Sequence, residues 1–126
     1  MLMNDTRLQV VVDFFEGLSP ADLDRLGQLY TSDTRFKDPF NEVQGLPAVR
    51  AIFAHMFVAL HEPRFVVTGG FAQGEEAFLT WNFVFRFQRF DSSTQQTVRG
   101  ATHLRFAPDG RVALHRDYWD AAEELY

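Results

Sequence analysis

Residues 111–120 read RVALHRDYWD, a segment with the pattern of a closing β-strand. It follows Asp109-Gly110, a pair that suits the positive φ angles of a tight hairpin turn. Side chains alternate between the two faces of a strand. One face therefore collects Ala113, His115, Asp117 and Trp119. The opposite face collects Val112, Leu114, Arg116, Tyr118 and Asp120. If the first face borders a cavity, His115 and Asp117 form a proton-transfer pair beside an aromatic wall. The alternatives to this acid/base role are a satisfied polar pair at a sheet edge, or a pocket histidine that only orients a ligand.

The composition predicts one globular domain over residues 1–126. Of the 126 residues, 46% are hydrophobic and 23% are charged, which is ordinary for a soluble protein. The 14 phenylalanines either overfill a small core or line a hydrophobic pocket, and composition does not choose between these. The net charge of −5 argues against nucleic-acid binding, and the lack of cysteine excludes disulfides and thiolate metal sites. We expect a cytoplasmic protein without a signal peptide or membrane span.

Helical spacing predicts three helices in the first half of the chain. The first covers residues 5–18, and Phe14 lies beside its apolar stripe of Leu8, Val11, Val12 and Phe15. The second starts at Ser19-Pro20 and ends in a polar turn over residues 31–34. The third opens at Gly45 and runs to about His61, where Pro63 closes it.

From Arg64 onward the apolar pattern changes to period two, which predicts an antiparallel meander. The predicted strands cover 64–68, 77–90, 97–106 and the closing segment, with a bend at Gly69-Gly70 and a turn near Gly74. In the long strand the odd positions are apolar: Leu79, Trp81, Phe83, Phe85 and Phe87. Asp120 and Glu123 are expected to start a short terminal helix. Helices followed by a sheet indicate an α+β fold with the helices on one sheet face.

Several short motifs resemble the SnoaL-like branch of the nuclear-transport-factor-2-like superfamily. They are Asp22-Leu23-Asp24, Leu29-Tyr30, Phe36-x-Asp38-Pro39, Gly45, Asp109-Gly110-Arg111 and His115-x-Asp117-Tyr118-Trp119-Asp120. The resemblance covers nearly the whole chain. It implies a cone, in which a curved antiparallel sheet wraps around three N-terminal helices and encloses a hydrophobic pocket. It also implies a homodimer through the outer sheet face.

The same resemblance assigns candidate catalytic residues. Asp38 matches the carboxylate that ketosteroid isomerases place before a proline, although an Asp-Pro pair is also a common turn whose carboxylate accepts backbone hydrogen bonds. The isomerases' oxyanion-hole positions read Phe14 and Thr102, so we do not expect ketosteroid isomerase activity. Asp117 matches the final-strand aspartate of the epoxide hydrolases and of the SnoaL cyclases, with His115 nearby. The acid that the hydrolases carry on the preceding strand is absent from Arg99-Gly100-Ala101.

The sequence therefore predicts a pocket with Asp117, His115 and Asp38 as catalytic groups. The predicted ligand-binding residues are Phe14, Phe53, Phe57, Trp81, Phe83, Phe85, Thr102 and Trp119. We expect the ligand to be a small hydrophobic molecule, with no metal site and no cofactor. The expected chemistry is acid/base catalysis of the cyclase, isomerase or epoxide-hydrolase type. The alternative is a non-catalytic ligand-binding domain, or an accessory dimer that uses the outward side of the long strand with Leu114 and Tyr118. His103 is predicted to face outward.

Overall fold

The computed structural model describes residues 2–89 and 92–125. The helices are α1 (Thr6–Glu16), a 3₁₀ helix (Pro20–Arg25), α2 (Leu26–Leu29), α3 (Leu46–Ala59) and α4 (Ala121–Leu125). The strands are β1 (Tyr30–Lys37), β2 (Glu42–Gln44), β3 (Leu60–Gln73), β4 (Glu76–Phe87), β5 (Gln96–Phe106) and β6 (Val112–Tyr118). The predicted long strand extended to Phe90 and the next loop began at Asp91; both residues lie outside the described ranges.

Six strands form one curved sheet in the order β2-β1-β6-β5-β4-β3. The α+β architecture is thus confirmed. The sheet is mixed and not purely antiparallel, because β1 pairs with β6 in parallel. The core lies between α1, α3 and the concave face, and its fully buried members include Leu8, Val12 and Leu104. Within the described residues no helix is long and apolar enough to cross a membrane.

The first helix follows directly from its sequence. Asp5 caps it, because its carboxylate accepts hydrogen bonds from the backbone N–H groups of Arg7 at 2.8 Å and Leu8 at 3.3 Å. The predicted apolar stripe is the buried face. A capping box at Ser19 and Asp22 likewise starts the second helical segment, although that segment is a 3₁₀ helix followed by one α-helical turn.

The predicted polar turn over residues 31–34 is wrong, since these residues belong to strand β1. Thr31 and Thr34 are buried, and the Thr34 hydroxyl donates to the Val112 carbonyl oxygen of β6 at 3.0 Å. β-branched side chains such as threonine suit a pleated, half-buried strand. The error has a physical cause: the partner strand lies about eighty residues away along the chain, and no local signal reveals it.

Two more predicted boundaries are corrected in β3. The third helix ends at Ala59, so Pro63 lies inside the strand, at a break in register between His61 and Arg64. The strand also continues through Gly69 and Gly70, where the predicted bend is a second break in register. The turn predicted near Gly74 is present, and Gly74 has a φ angle of +60°.

A bulge near the start of β6 decides which side chains of this strand face inward. Leu114 pairs with Arg105, but Val112 pairs with Phe106, so Ala113 is the extra residue. Val112, predicted to share a face with Leu114, is instead buried in the core at 1% exposure. After the bulge, the alternation matches the prediction, and His115 and Asp117 point toward the concave side.

Candidate functional site

An apolar cavity of about 300 Å³ lies between α3 and the concave face of the sheet. Nine aromatic rings line it: Phe36, Phe40, Phe53, Phe65, Trp81, Phe83, Phe85, Phe87 and Trp119. The alternation of β4 explains four of them, because odd positions of that strand face the concave side. Two carboxylates, Asp38 and Asp117, also line the wall. A second void of about 30 Å³ lies beside it, and Asp117 borders both.

Asp117 is the end point of a chain of hydrogen bonds that runs through the protein interior. His115 Nε2 lies 2.8 Å from Asp117 Oδ1, and Tyr30 Oη lies 2.7 Å from His115 Nδ1. The imidazole is buried at 4% exposure and lies against Phe15 and Phe36, with ring centroids 5.5 and 4.7 Å away. His115 contributes to the wall of the small void but not to that of the large cavity. It therefore supports Asp117 from behind.

The hydrogen bonds of His115 indicate which of its two ring nitrogens carries the proton. Burial, and after it the negative charge of Asp117, raise the pKa of Tyr30 well above its ordinary value, so the phenol keeps its proton at neutral pH. Within the described residues, the Tyr30 hydroxyl has His115 Nδ1 as its one hydrogen-bond partner, and it therefore donates to Nδ1. The ring proton then lies on Nε2 and is donated to Asp117.

A second branch reaches Asp117 from the neighbouring strands. Thr102 Oγ1 donates to Asp117 Oδ1 at 2.6 Å, and Trp81 Nε1 donates to Thr102 Oγ1 at 2.7 Å. Thr102 lies directly opposite Asp117 in the register of β5 and β6. The two branches therefore meet at Asp117 Oδ1, which has Thr102 and His115 Nε2 as its hydrogen-bond partners. Oδ2 has no hydrogen-bond partner among the described residues, which leaves it available to a bound molecule.

Asp38 lies on the same cavity wall in a different setting. Its Oδ1 accepts hydrogen bonds from the backbone N–H groups of Phe40 at 2.8 Å and Asn41 at 2.6 Å, and from the Asn41 side chain at 3.1 Å. These bonds fix the turn after β1, as the turn interpretation of Asp-Pro predicted. The structure does not bring a hydrogen-bonding residue from another element to Asp38. Its carboxylate faces the cavity as a separate group, apart from the network of Asp117.

Most of the predicted ligand-binding side chains do line the cavity: Phe53, Trp81, Phe83, Phe85 and Trp119. Thr102 borders only the small void. Phe14 and Phe57 are corrections. Phe14 lies in a surface groove with Val10 and Arg25 on the far side of α1, while Phe15 faces the site. Phe57 is partly buried against the core. It lies on a different side of α3 from the residues that line the cavity.

Sequence reasoning missed Tyr30, which completes the network, and Phe36 and Phe65, which enclose the site. Tyr30 carried one usable signal: a buried tyrosine needs a partner for its hydroxyl. The partner is His115, 85 positions later. Phe36 is placed by the parallel pairing that sets it directly beside His115 on the neighbouring strand. The spacing of residues within one segment does not predict that these three side chains reach the site.

Two segments build the mouth of the cavity: the turn after β1 and helix α4. Phe40, 66% exposed, makes an edge contact with Trp119 at a centroid distance of 5.5 Å. Helix α4 contributes Leu125 to the wall. Asp120 caps this helix by accepting from the N–H of Ala122 at 3.0 Å, which confirms the predicted terminal helix.

The described residues contain no group of three or more His, Cys, Asp or Glu side chains able to hold a metal ion. Neither of the two carboxylates on the cavity wall has an Arg or Lys partner within the described ranges.

Comparisons with known proteins place this geometry in a family. The SnoaL-like domain matches residues 11–115. An NTF2-like protein of unknown function from Burkholderia pseudomallei has a TM-score of 0.80 at 20% identity, and the match covers 94% of each chain. A hypothetical protein with a ketosteroid isomerase-like fold from Catenulispora acidiphila, in complex with trimethylamine, has a TM-score of 0.79 at 16% identity, covering 94% of this chain and 88% of that one.

TerC, co-crystallised with polyporic acid, has a TM-score of 0.79 at 14% identity, and the match covers 94% of this chain and 95% of TerC. Among curated proteins, none is similar enough in sequence to count as a relative. At these identities the solved structures establish the shared cone fold. Together with the domain match over most of the chain, they show that the chain belongs to the SnoaL-like domain family.

Proposed function

We propose that this protein catalyses proton transfer on a small, mostly apolar molecule, with Asp117 as the acid/base group. One observation carries the proposal: a buried network ends in two hydrogen bonds to one oxygen of Asp117, and among the described residues the other oxygen has no hydrogen-bond partner and the side chain borders the cavity. Hydrogen bonds to the charged form keep a carboxylate ionised. An ionised carboxylate in a mostly apolar cavity is suited to accept a proton from a bound molecule.

In the proposed step, Asp117 Oδ2 accepts a proton from a carbon next to a carbonyl group. The C–H electron pair moves toward the carbonyl and forms an enolate. Return of the proton to another carbon isomerises the molecule. Alternatively, the enolate carbon attacks a second carbonyl of the same molecule, a ring closes, and Asp117 protonates the new alkoxide. His115 and Thr102 hold Oδ1 throughout, and Asp38 is the second candidate acid/base group on the wall.

The test is deuterium uptake from D₂O into a panel of small cyclic diketones, followed by mass spectrometry. Asp117→Asn keeps the size of the side chain and removes the base. We expect exchange to fall by about 10²–10⁴-fold, with ligand affinity retained. Glu76→Gln is the matched control, because Glu76 forms a histidine–carboxylate pair on the outer face of the sheet, and it should exchange at the wild-type rate. Unchanged exchange in Asp117→Asn would refute the assignment.

A non-catalytic binding domain is the second candidate, and one observation favours it. The Thr102 hydroxyl hydrogen is donated to Asp117, so it is not available to stabilise an enolate oxygen. Similar structures crystallised with trimethylamine and with polyporic acid support small-molecule binding without distinguishing the two candidates. If Asp117→Asn reduces affinity and stability in parallel and no diketone exchanges in the wild type, the binding domain is the better description.

We also propose that the protein is a homodimer through the outer face of the sheet. A row of paired residues crosses this face from Glu42 through Lys37, Arg116, His103 and Phe78 to Phe71. Its aromatic end is half-exposed. A two-fold axis would place the aromatic end of one copy over the cationic end of the other. Sedimentation velocity should show a dimer, and Phe78→Ser should convert it to monomer; a wild-type monomer at micromolar concentration contradicts the proposal.

A further inference from the structure

We propose that the ligand of the large cavity is a small organic cation, such as a substituted ammonium ion. This inference rests on the proposed small-molecule function and specifies the charge of the ligand. The first observation is the charge of the residues that line the cavity. Among residues 2–89 and 92–125, those that line the cavity include Asp38 and Asp117 but no lysine or arginine. An empty cavity of this kind presents negative charge to whatever enters it.

Within the described residues, neither of these two carboxylates has a lysine or arginine partner. Asp38 is held by backbone N–H groups and the neutral amide of Asn41. Asp117 is held by Thr102 and by His115, whose other ring nitrogen is hydrogen-bonded to the Tyr30 hydroxyl. His55 is the remaining titratable group on the wall, and it lies at the exposed end of the cavity. Carboxylates against an apolar wall are stabilised by a counter-charge, which a cationic ligand supplies.

The aromatic wall favours the same kind of ligand. The face of an aromatic ring carries negative potential and attracts a cation, and nine aromatic rings line this cavity. Phe65 and Phe83 stack at 4.5 Å, and Trp119 is fixed by the edge of Phe40 at 5.5 Å. This packing presents the rings in fixed positions. Rings and carboxylates on one wall form the arrangement that binds alkylated ammonium groups.

The experiment compares three ligands of one shape and different charge. They are choline, its neutral isostere tert-butylethanol, and the anion of tert-butylacetic acid. Both tryptophans of the chain lie on the cavity wall, so intrinsic fluorescence reports occupancy directly. We expect choline to bind at least about tenfold more tightly than the neutral isostere, and the anion to bind most weakly. A neutral isostere that binds as tightly as choline overturns the cation inference but leaves the small-molecule function standing. If none of the three binds, the cation inference is also overturned, and the small-molecule function is then decided by the diketone exchange alone.

Matched variants separate the local effect from the overall charge of the protein. Asp38→Asn removes one wall charge, and Asp33→Asn removes the same charge from an exposed position on β1 outside the cavity. Asp38→Asn should weaken choline binding about tenfold and leave the neutral isostere unaffected. Asp33→Asn should leave both affinities unchanged. Equal weakening by the two variants would mean that the net charge of −5, and not the cavity, attracts the cation, and it would overturn the inference.

Discussion

Two of the histidine–carboxylate pairs lie on opposite faces of the sheet, and their surroundings differ. On the concave face, His115 and Asp117 are buried, with side chains 6% and 15% exposed, and no arginine or lysine contacts them within the described residues. On the convex face, His103 Nε2 lies 2.5 Å from Glu76 Oε2, and Arg105 also donates to Glu76 at 3.0 Å. Glu76 is 42% exposed, so water reaches it.

The comparison shows that distance alone does not mark a functional pair. The outer pair is closer, yet its charge is compensated by Arg105 and by solvent. The hydrogen bonds from His103 and Arg105 lower the pKa of Glu76. Among the described residues the inner pair has hydrogen bonds from Thr102 and Tyr30 but no arginine or lysine partner, so the charge of Asp117 remains available to a ligand. Variants on the two faces test this difference.

We expect the largest difference between the two faces when one glycine on each face is replaced by alanine, which adds a single methyl group. A Cβ on Gly100 would overlap the indole ring of Trp81, which Thr102 and Phe65 hold in place. Gly100→Ala should lower the free energy of unfolding by about 1–3 kcal/mol and change the near-UV circular dichroism of Trp81. The outer-face control is Gly69→Ala, whose Cβ would lie 3.3 Å from the Thr80 hydroxyl, a contact that needs a shift of only a few tenths of an ångström. Equal destabilisation by the two variants would contradict the tight packing of the inner face.

Tyr30→Phe tests whether the buried hydroxyl fixes the neutral tautomer. The variant keeps the ring and leaves His115 Nδ1 without its donor. We expect a loss of about 1–2 kcal/mol in the free energy of unfolding. Side-chain nitrogen NMR should show His115 protonated on Nε2 in the wild type and a mixture of tautomers in the variant. Tyr118→Phe, on the outer face and 49% exposed, is the control and should change neither measurement. A wild-type spectrum with the proton on Nδ1 would refute the assignment.

Glu76→Gln tests the outer pair and should cost less than about 1 kcal/mol, because Glu76 and Arg105 are exposed and screened by solvent. Since the pKa of Glu76 is lowered in the folded state, its contribution is present above the ordinary pKa of glutamate. It is lost as the pH falls through the lowered value. Urea unfolding at several pH values and salt concentrations measures it. A loss that persists in high salt would mean that the pair is buried more deeply than the structure shows.

Local signals in the sequence predict much of the fold. Helical spacing correctly identified the buried stripe of α1, with Phe15 on it and Phe14 beside it. The family resemblance then placed Phe14 in the pocket, and this was wrong, because the stripe and not the aligned position decides which ring faces inward. The Asp109-Gly110 turn and the inward face of β4 were also predicted correctly, since turn residues and alternation act over a few residues.

What the sequence did not reveal depends on contacts between distant segments. The parallel pairing of β1 with β6 brings Phe36 beside His115, and no pattern within either segment encodes it. The bulge at Ala113 reverses the predicted face of Val112, because one extra residue shifts the alternation. His115 and Asp117 were predicted as a pair. The sequence did not predict that Asp117 borders the cavity while His115 lies behind it, because this arrangement depends on the position of Tyr30.

The smallest expected effect comes from the exposed ion pair between Arg99 and Glu124, which acts on the cavity only through the position of helix α4. Glu124 of α4 accepts hydrogen bonds from the Arg99 backbone N–H and guanidinium, each at 2.7 Å, and these lower its pKa from 4.5 to about 2. The pair holds α4, and with it Leu125, at the cavity mouth. Because the folded pKa is lowered, this attachment is fully present above about pH 4.5 and is lost as the pH falls toward 2.

Hydrogen exchange of the α4 amides measures this attachment without requiring global unfolding. Glu124→Gln should speed the exchange at neutral pH and remove its dependence on acid, since no charge is left to titrate. Glu123→Gln is the matched control: Glu123 reaches Arg99 only at 3.5 Å, so exchange should remain close to that of the wild type. If α4 exchanges equally fast in all three proteins, the ion pair does not hold the helix. The rim contacts of Trp119 with Phe40 would then be what closes the mouth, and the cavity would depend on apolar packing alone.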